Sequence, residues 1–488
     1  MTPNARRVAV LLPMSWSIRN VLYSGALDAL ADLGAEPYLI TPDPAGSPQD
    51  VCEVAFRSAA AFHPLLEPRS NPVRGKAFLD SLLKDVFNRR HSNRSYPLYR
   101  RWMIRRESLY GRARQMLIRL AGAACYLSHL DSTLRSACES LYRRSHDLDP
   151  IRTQMEQISP ALLWSTVSVS HLEYPYILAA RDLRIPTVSS VLSFDNLTSR
   201  GVLPDFDHYI VWSRAMLDQL RRFYPHVPTA RIRITGTPQF DFHRSPEFYW
   251  PRERTLRELG LPLSKRYFLY AASSSILAPD EPELVRRLAK RTAADRELSS
   301  FAIVVRLHPS DGVERWANSQ DRYPNLVLSP AFSRTDVSNE VWRSSREDQS
   351  RLINSLRHAE ACINIASTMS LDAAILDRPV ICLQFDTDTD CPLDILFDEY
   401  NAEHYRPLVE SRGIQLARSW DELFLLLRQA LRTPDISRQR RRAMIAQECG
   451  DVDGAAAKRV AHAVSSLLKL DAIDRVPRAA NAARSGRL

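Results

Sequence analysis

Apolar positions along this chain come in two textures. Short unbroken runs such as Val8–Leu12 are followed by stretches where apolar residues recur every three or four positions, as at Leu22, Ala26, Leu27, Leu30 and Leu33. The first texture predicts strands covered on both faces, and the second predicts amphipathic helices. Strands are expected at Val8–Leu12, Pro37–Ile40, Ala161–Ser168, Pro186–Leu192, His208–Trp212 and Arg231–Thr235, with helices near 172–183 and 213–223. The segment Pro238–Pro251 breaks the rhythm with Phe240, Phe242, Phe248, Tyr249 and Trp250 and reads as a connection between domains. A second series follows, with strands at Phe268–Ala272, Ala302–Leu307, Leu326–Leu328, Ala361–Ile365 and Val380–Gln384. Its helices lie near 279–296, 348–359 and 369–377, and a last amphipathic helix near 454–469 carries Ala456, Val460, Val464 and Leu467. Such alternation implies parallel sheets with helices on both faces. The expected fold class is α/β, with two doubly wound domains in tandem.

One segment departs from this pattern. Residues 69–147 show no strand texture and hold seventeen Lys and Arg against six Asp and Glu. The whole chain of 488 residues carries a net charge of +10, so the rest of it is close to neutral. Tyr99, Trp102, Met103, Leu109, Tyr110, Met116, Leu117 and Leu120 recur there at roughly helical spacing, with Arg100, Arg101, Arg105, Arg106, Arg112 and Arg114 between them. A basic amphipathic helix of this kind can lie on an anionic membrane surface. The plainer reading is a helical hairpin packed on its own domain or on a second subunit. Nucleic acid is disfavoured as a partner, because these aromatics sit on an apolar helix face and not on a strand platform.

Seven cysteines, Cys52, Cys125, Cys138, Cys362, Cys382, Cys391 and Cys449, form no CxxC, and the odd count leaves one unpaired. A reducing, cytoplasmic setting is expected, with attachment to the inner membrane face as an option through the basic segment. No apolar stretch approaches the ~20 residues of a spanning helix; Leu117–Leu130 is short and contains Arg119 and His129. GxGxxG, a P-loop and HExxH are all absent. Candidate chemistry must therefore be sought at strand ends, where doubly wound domains bind ligands.

Those ends carry distinctive residues. Ala302–Leu307 runs into His308-Pro309, and Arg306 and His308, two apart, are expected to project to one side and clamp a phosphate. Phe268–Ala272 ends in Ser273-Ser274-Ser275, a turn whose hydroxyls and amides suit the same ligand. Ala361–Ile365 runs through Ala366-Ser367-Thr368 into a short helix bearing Asp372 one turn in. Free amides and hydroxyls at that helix start suit an anion, and Asp372 could reach a ribose. Alternating aspartates at Asp386, Asp388 and Asp390 could hold a cation, but the preferred expectation is a loop bordering the site and no metal.

The run Ser367–Ile381 is similar to the donor-site segment of GT-B glycosyltransferases. It looks closest to those making bacterial surface polysaccharides and to the CDP-glycerol glycerophosphotransferases. Arg306-Leu307-His308-Pro309 resembles their strand ending in His-Pro, and Gly236-Thr237-Pro238-Gln239-Phe240-Asp241 their Gly-x-Pro-x-x-Asp turn. Ser193–Thr198 followed by Arg200-Gly201 resembles an Asp-Asn loop, and Gly454 with Ala455–Val460 the start of their C-terminal helix. The match covers about 160–470. Ile365 and Ala366 replace the Asp-Tyr pair of the glycerophosphotransferases, which favours a sugar donor over a glycerol-phosphate one.

The resemblance implies two Rossmann-like domains, over 1–245 and 246–455, with the basic insertion in the first. A helix over 456–472 would pack back on the first domain, and 473–488 would be a loose tail. It also implies a nucleotide-activated sugar in the second domain, a saccharide or lipid-linked acceptor in the first, and no cofactor or metal. Ser274, Arg306, His308, Ser367 and Thr368 would face donor phosphates, and Asp372 the ribose or sugar. Transfer requires the acceptor hydroxyl to lose its proton as the anomeric carbon is attacked. Asp195 has the right chemistry for that base, with His171 and Glu173 as rivals. Ser15, Ser17, Arg19 and Asn196 would line the acceptor side. The alternatives are a CDP-glycerol-type glycerophosphotransferase, a UDP-sugar 2-epimerase and a non-catalytic scaffold for lipid-linked intermediates.

Overall fold

A computed structural model of the chain describes residues 4–42, 59–71, 73–198, 202–275, 278–316, 323–333, 344–385 and 398–470. Two wholly parallel sheets organise them. The first has seven strands, β1 (Asn4–Leu11), β2 (Glu36–Thr41), β3 (Ala61–Pro64), β4 (Pro160–Ser165), β5 (Thr187–Ser190), β6 (His208–Val211) and β7 (Ile232–Ile234), in the order β3-β2-β1-β4-β5-β6-β7. The second has six, β8 (Arg266–Ala271), β9 (Phe301–Arg306), β10 (Leu326–Ser329), β11 (Cys362–Asn364), β12 (Val380–Leu383) and β13 (Gln415–Ala417), in the order β10-β9-β8-β11-β12-β13. Strand order reverses between β1 and β4 in one sheet and between β8 and β11 in the other. Crevices open at the carboxyl ends on either side of such switch points. Central strands such as β9, buried at all six positions, show why the runs are continuously apolar: both faces are covered.

Two edge strands, β3 and β13, are additions to the sequence expectation. β4 ends at Ser165, three residues short of the expected Ser168, because the amides of Thr166 and Val167 turn to the Glu173 carboxylate. The helices that matter below are α1 (Ala26–Asp32), the insertion helices α2 (Lys76–Arg90), α3 (Ser95–Arg106), α4 (Leu109–Leu127) and α5 (Asp131–Ser145), then α6 (Tyr174–Asp182), α7 (Arg214–Phe223), α8 (Glu281–Ala294), α9 (Met369–Ile375) and α10 (Ala456–Leu470). The single basic amphipathic helix expected near 99–120 is two helices. They break at Glu107, and Ser108 caps the second by accepting from the Gly111 amide at 3.2 Å.

The helix α10 crosses back to the first sheet. Ala457, Val460, Val464 and Leu467 join one buried cluster with Val8, Val10, Leu27 and Leu30. Its start is held by Asp241, whose carboxylate accepts from the amides of Ala456 at 3.0 Å and Ala457 at 2.7 Å. This is the physical work of the Gly-x-Pro-x-x-Asp turn: its acid caps a helix more than two hundred residues downstream. Just before it, Gly450 adopts φ +72°, and a Cβ there would sit 2.6 Å from the Trp212 carbonyl, so no other residue fits without a shift. Another buried cluster runs from β6 and α7 into β8, β9 and α9, so the two sheets share apolar packing. Among the described residues no helix is long and apolar enough to cross a membrane. Cys125, Cys138, Cys362, Cys382 and Cys449 are free thiols.

Candidate functional site

On the first sheet, two loops flank the switch point. After β1, Ser17 is buried and its Oγ lies 2.9 Å from Thr166 Oγ1, whose hydroxyl donates to the Leu11 carbonyl at 2.6 Å. Ser15 is partly exposed in the same turn. Arg19 reaches out of it, donating through Nε to Asn20 Oδ1 at 2.9 Å and through Nη2 to Gln239 Oε1 at 2.8 Å. Desolvation brings the Arg19 guanidinium down to about 10, against an opposing pull from Asp372.

After β4 the loop is organised from below by Glu173. Its carboxyl is fully buried and accepts from the Val167 amide at 3.0 Å, the Thr166 amide at 3.2 Å and the Ser165 hydroxyl. Burial pushes it up to about 8, more than these donors pull it down, so it holds its proton at neutral pH. Glu173 is thus a positioning group beneath the crevice, not a carboxylate open to substrate. His171, two residues earlier, is exposed.

The loop after β5 carries Asp195, half-buried. Asn196 closes it: its Oδ1 accepts from the Ser193 amide at 3.1 Å and its Nδ2 donates to Asp195 Oδ1 at 3.2 Å. Phe194 stacks edge-on against His404 at 4.9 Å and lies 6.3 Å from the Tyr405 ring. Arg200 and Gly201 lie outside the described residues.

On the second sheet, Glu281 repeats the role of Glu173. From the start of α8 it accepts from the Ser273 amide at 2.9 and 3.1 Å and from the Tyr270 hydroxyl at 2.9 Å, and burial raises it to about 7. Each sheet therefore fixes the loop after a central strand with a buried acid from the next helix. Ser274 is partly exposed in the loop so held. Arg315, which no local pattern marks, donates to the Ser273 carbonyl at 3.1 Å and pairs with Asp311.

Arg306 does not share a side with His308 as a clamp. Its guanidinium is buried and donates to the Pro330 carbonyl at 3.0 Å and the Ala331 carbonyl at 2.9 Å, satisfying acceptors left where β10 ends. Desolvation lowers it to about 10. His308 is half-buried, and its Nδ1 accepts from the Ser310 amide at 3.1 Å. That leaves Nε2 as the protonated donor of the neutral ring, the form that burial favours.

The turn after β11 is the most constrained part of the site. Ala366 takes φ +42°, which is strained for a residue with a Cβ. Asn364, wholly buried, is the pivot: its Oδ1 accepts from the Ser367 amide at 3.2 Å and the Ser370 hydroxyl at 3.1 Å. Ser370 in turn lies 2.7 Å from the Tyr405 hydroxyl. Tyr400 accepts from the Ala366 amide at 3.3 Å and donates to the Leu383 carbonyl at 2.7 Å. Above this frame Ser367 is partly exposed and Thr368 exposed, at the start of a seven-residue helix. Asp372 faces the domain junction, with Oδ1 3.0 Å from His243 Nε2. That approach is close but off-axis, and no aligned hydrogen bond joins the two.

The structure thus brings together the Asp195 loop, the Ser367–Asp372 turn and Arg19. Phe194 touches Tyr405, Tyr405 holds Ser370, and Asp372 meets His243 and the field of Arg19. Under the first crevice lies a cavity of about 30 Å³, lined among others by Asn20, Trp164, Thr166, Ser190 and Thr237, with room for a single water. Among the described residues no group of three His, Cys, Asp or Glu is placed to hold a metal. Asp386, Asp388 and Asp390 lie outside them.

No protein-family model and no curated protein matches this chain. Solved structures match it over nearly its full length. One is MnaA of S. aureus with UDP, at TM-score 0.53 and 11% identity over 95% of this chain and 97% of that one. Another is UDP-GlcNAc 2-epimerase from Neisseria meningitidis bound to UDP-GlcNAc, at TM-score 0.52 and 11% identity over 95% and 100%. A third is the wall teichoic acid polymerase TagF soaked with CDPG, at TM-score 0.50 and 11% identity over 96% and 91%. At such identity the likeness is one of fold, and the fold is the GT-B-like pair of Rossmann-like domains.

Proposed function

We propose that this protein is a metal-independent glycosyltransferase that moves a sugar from a nucleotide-activated donor to a saccharide or lipid-linked acceptor. The observation that supports the reading is the buried packing of Phe194 on Tyr405 and of Tyr405 on Ser370, which ties the loop carrying Asp195 to the hydroxyl turn carrying Ser367 and Thr368. Asp195, oriented by Asn196, takes the acceptor hydroxyl proton. The acceptor oxygen bonds to the anomeric carbon as the bond from that carbon to the diphosphate breaks, and the electron pair leaves with the nucleotide. Ser367, Thr368 and the Nε2–H of His308 donate to the departing diphosphate, with Ser274 bordering it. Arg306 braces the neighbouring segment, and Asp372, held by His243, orients a donor hydroxyl. Ser15 and Arg19 line the acceptor side.

Calorimetric titration with UDP-, GDP-, CDP- and CMP-linked donors, CDP-glycerol included, tests this. One donor class should bind, Thr368→Val should weaken it, and Asp195→Asn should bind normally while transfer falls by roughly 10²–10⁴-fold. If no donor binds, the reading fails.

A second reading draws support from the UDP-GlcNAc 2-epimerase neighbour named above. Incubation with UDP-N-acetylglucosamine alone decides it, because inversion at C2 without an acceptor would replace transfer by epimerisation.

A further inference from the structure

We infer that α4 is a docking face for an anionic lipid bilayer. The helix is apolar on two opposite sides. Inward it buries Gly111, Ile118 and Gly122, and a Cβ at Gly122 would meet Asp85 Oδ2 at 2.2 Å, so the helix sits tight against α2 in one rotation. That rotation leaves Leu109, Tyr110, Met116, Leu117, Leu120 and Leu127 between 57% and 83% exposed. Tyr110, Ala113, Leu117, Leu120, Ala124 and Leu127 follow one another at alternating steps of three and four, which makes a continuous outward stripe.

Charge selects the occupant. From Leu109 to Leu127 there is no acidic residue, and at ~100° per residue Arg112 and Arg119 flank the stripe on one side and Arg114 on the other. A second copy of this helix would set arginine against arginine. Asp80 is engaged with Lys76, Asp85 with Arg89 and Arg100, Asp131 with Arg90, and Glu139 with Arg143 and Arg181, while the Glu107 carboxylate turns onto Gly111 on the inward side of α4, away from the stripe. An apolar stripe edged with arginines matches acyl chains beneath anionic headgroups.

The same insertion is tied to the cleft. Asn93 Nδ2 donates to the Thr198 carbonyl at 2.7 Å, in the Asp195 loop. Glu403 accepts from the Arg94 amide at 3.1 Å and pairs with Arg222 at 3.0 Å. A bilayer held on α4 would therefore share one frame with the acceptor side of the cleft. The inference stands on the surface alone and does not depend on the donor chemistry.

The test is flotation of the full chain with vesicles of phosphatidylcholine alone and of equal parts phosphatidylcholine and phosphatidylglycerol. Wild type should float with the mixed vesicles and far less with phosphatidylcholine alone. Leu117→Glu/Leu120→Glu should weaken that partitioning by roughly tenfold or more. Arg112→Gln/Arg119→Gln should weaken it by roughly thirtyfold. The replaced side chains are exposed, so urea midpoints and donor titrations should match wild type. The inference is overturned if wild type stays in the aqueous phase, or if the leucine double variant floats as wild type does. It is also overturned if wild type is a dimer by light scattering that this variant splits, which would assign the face to a second copy.

Discussion

Glu173→Gln removes one titration and keeps nearly the same shape. The amide oxygen can still accept from the Val167 and Thr166 amides, and the amide nitrogen can face the Ser165 hydroxyl. In the wild type, burial raises this carboxyl from 4.5 to about 8. Between those values the folded chain keeps a proton that the unfolded chain releases, so stability falls as pH rises. The full loss, at 1.36 kcal/mol per unit, is on the order of 4–5 kcal/mol once pH passes the folded value. The contribution is complete below about pH 4.5 and gone above about pH 8. Urea unfolding followed by tryptophan fluorescence from pH 5 to 9 measures it, with Trp164 buried in the strand just before this loop. Glu281 and Glu448, each raised to about 7, titrate in both proteins, so the difference between wild type and variant isolates Glu173. Glu173→Gln should be about as stable as wild type at pH 5 and clearly more stable at pH 9. Parallel curves for the two proteins across that range would refute the burial argument.

Three further outcomes are expected. Asp241→Ala should cost about 1–2 kcal/mol by uncapping α10, read as a lower urea midpoint, and an unchanged midpoint would show the cap to be dispensable. Gly450→Ala places a Cβ against the Trp212 carbonyl at positive φ and should destabilise by more than ~1 kcal/mol in the same assay, whereas a neutral result would mean that the junction yields easily. Arg306→Ala leaves the Pro330 and Ala331 carbonyls without their donors and should lower thermal stability by an amount worth about 1–3 kcal/mol at any donor concentration. A loss of donor affinity at unchanged stability would instead restore Arg306 as a phosphate ligand.

The central strands were legible in the sequence because each is covered on both sides and must be apolar throughout. The edges were not. Ala61–Pro64 pairs along one side only and tolerates His63 and Pro64, and Gln415–Ala417 is three residues long, so neither leaves a distinctive run. At the site, residue type and strand-end position were visible, but partners were not. The acceptors of Arg306 are backbone carbonyls twenty-four and twenty-five residues on, which carry no side-chain signal. Glu173 looked like an available base because burial is a property of the fold and not of the neighbouring sequence. Tyr405 and His243, which frame the Ser367–Asp372 turn, act across distances in the chain that no spacing rule spans, whereas Asn364 lies next to the turn but inside an apolar strand run that hid it. The acid in the Gly-x-Pro-x-x-Asp turn was visible as a motif, but its partner amides lie in the last helix.

That last helix has a consequence for how the protein is made. The face of the first sheet built from Val8, Val10, Leu27 and Leu30 is completed only by Ala457–Leu467. During synthesis at ~5–20 residues per second, this apolar face waits roughly 20–90 seconds for its cover. The amino-terminal domain therefore cannot finish folding as it emerges. It stays available to chaperones until the second domain has left the ribosome, and the order of completion runs opposite to the order of translation.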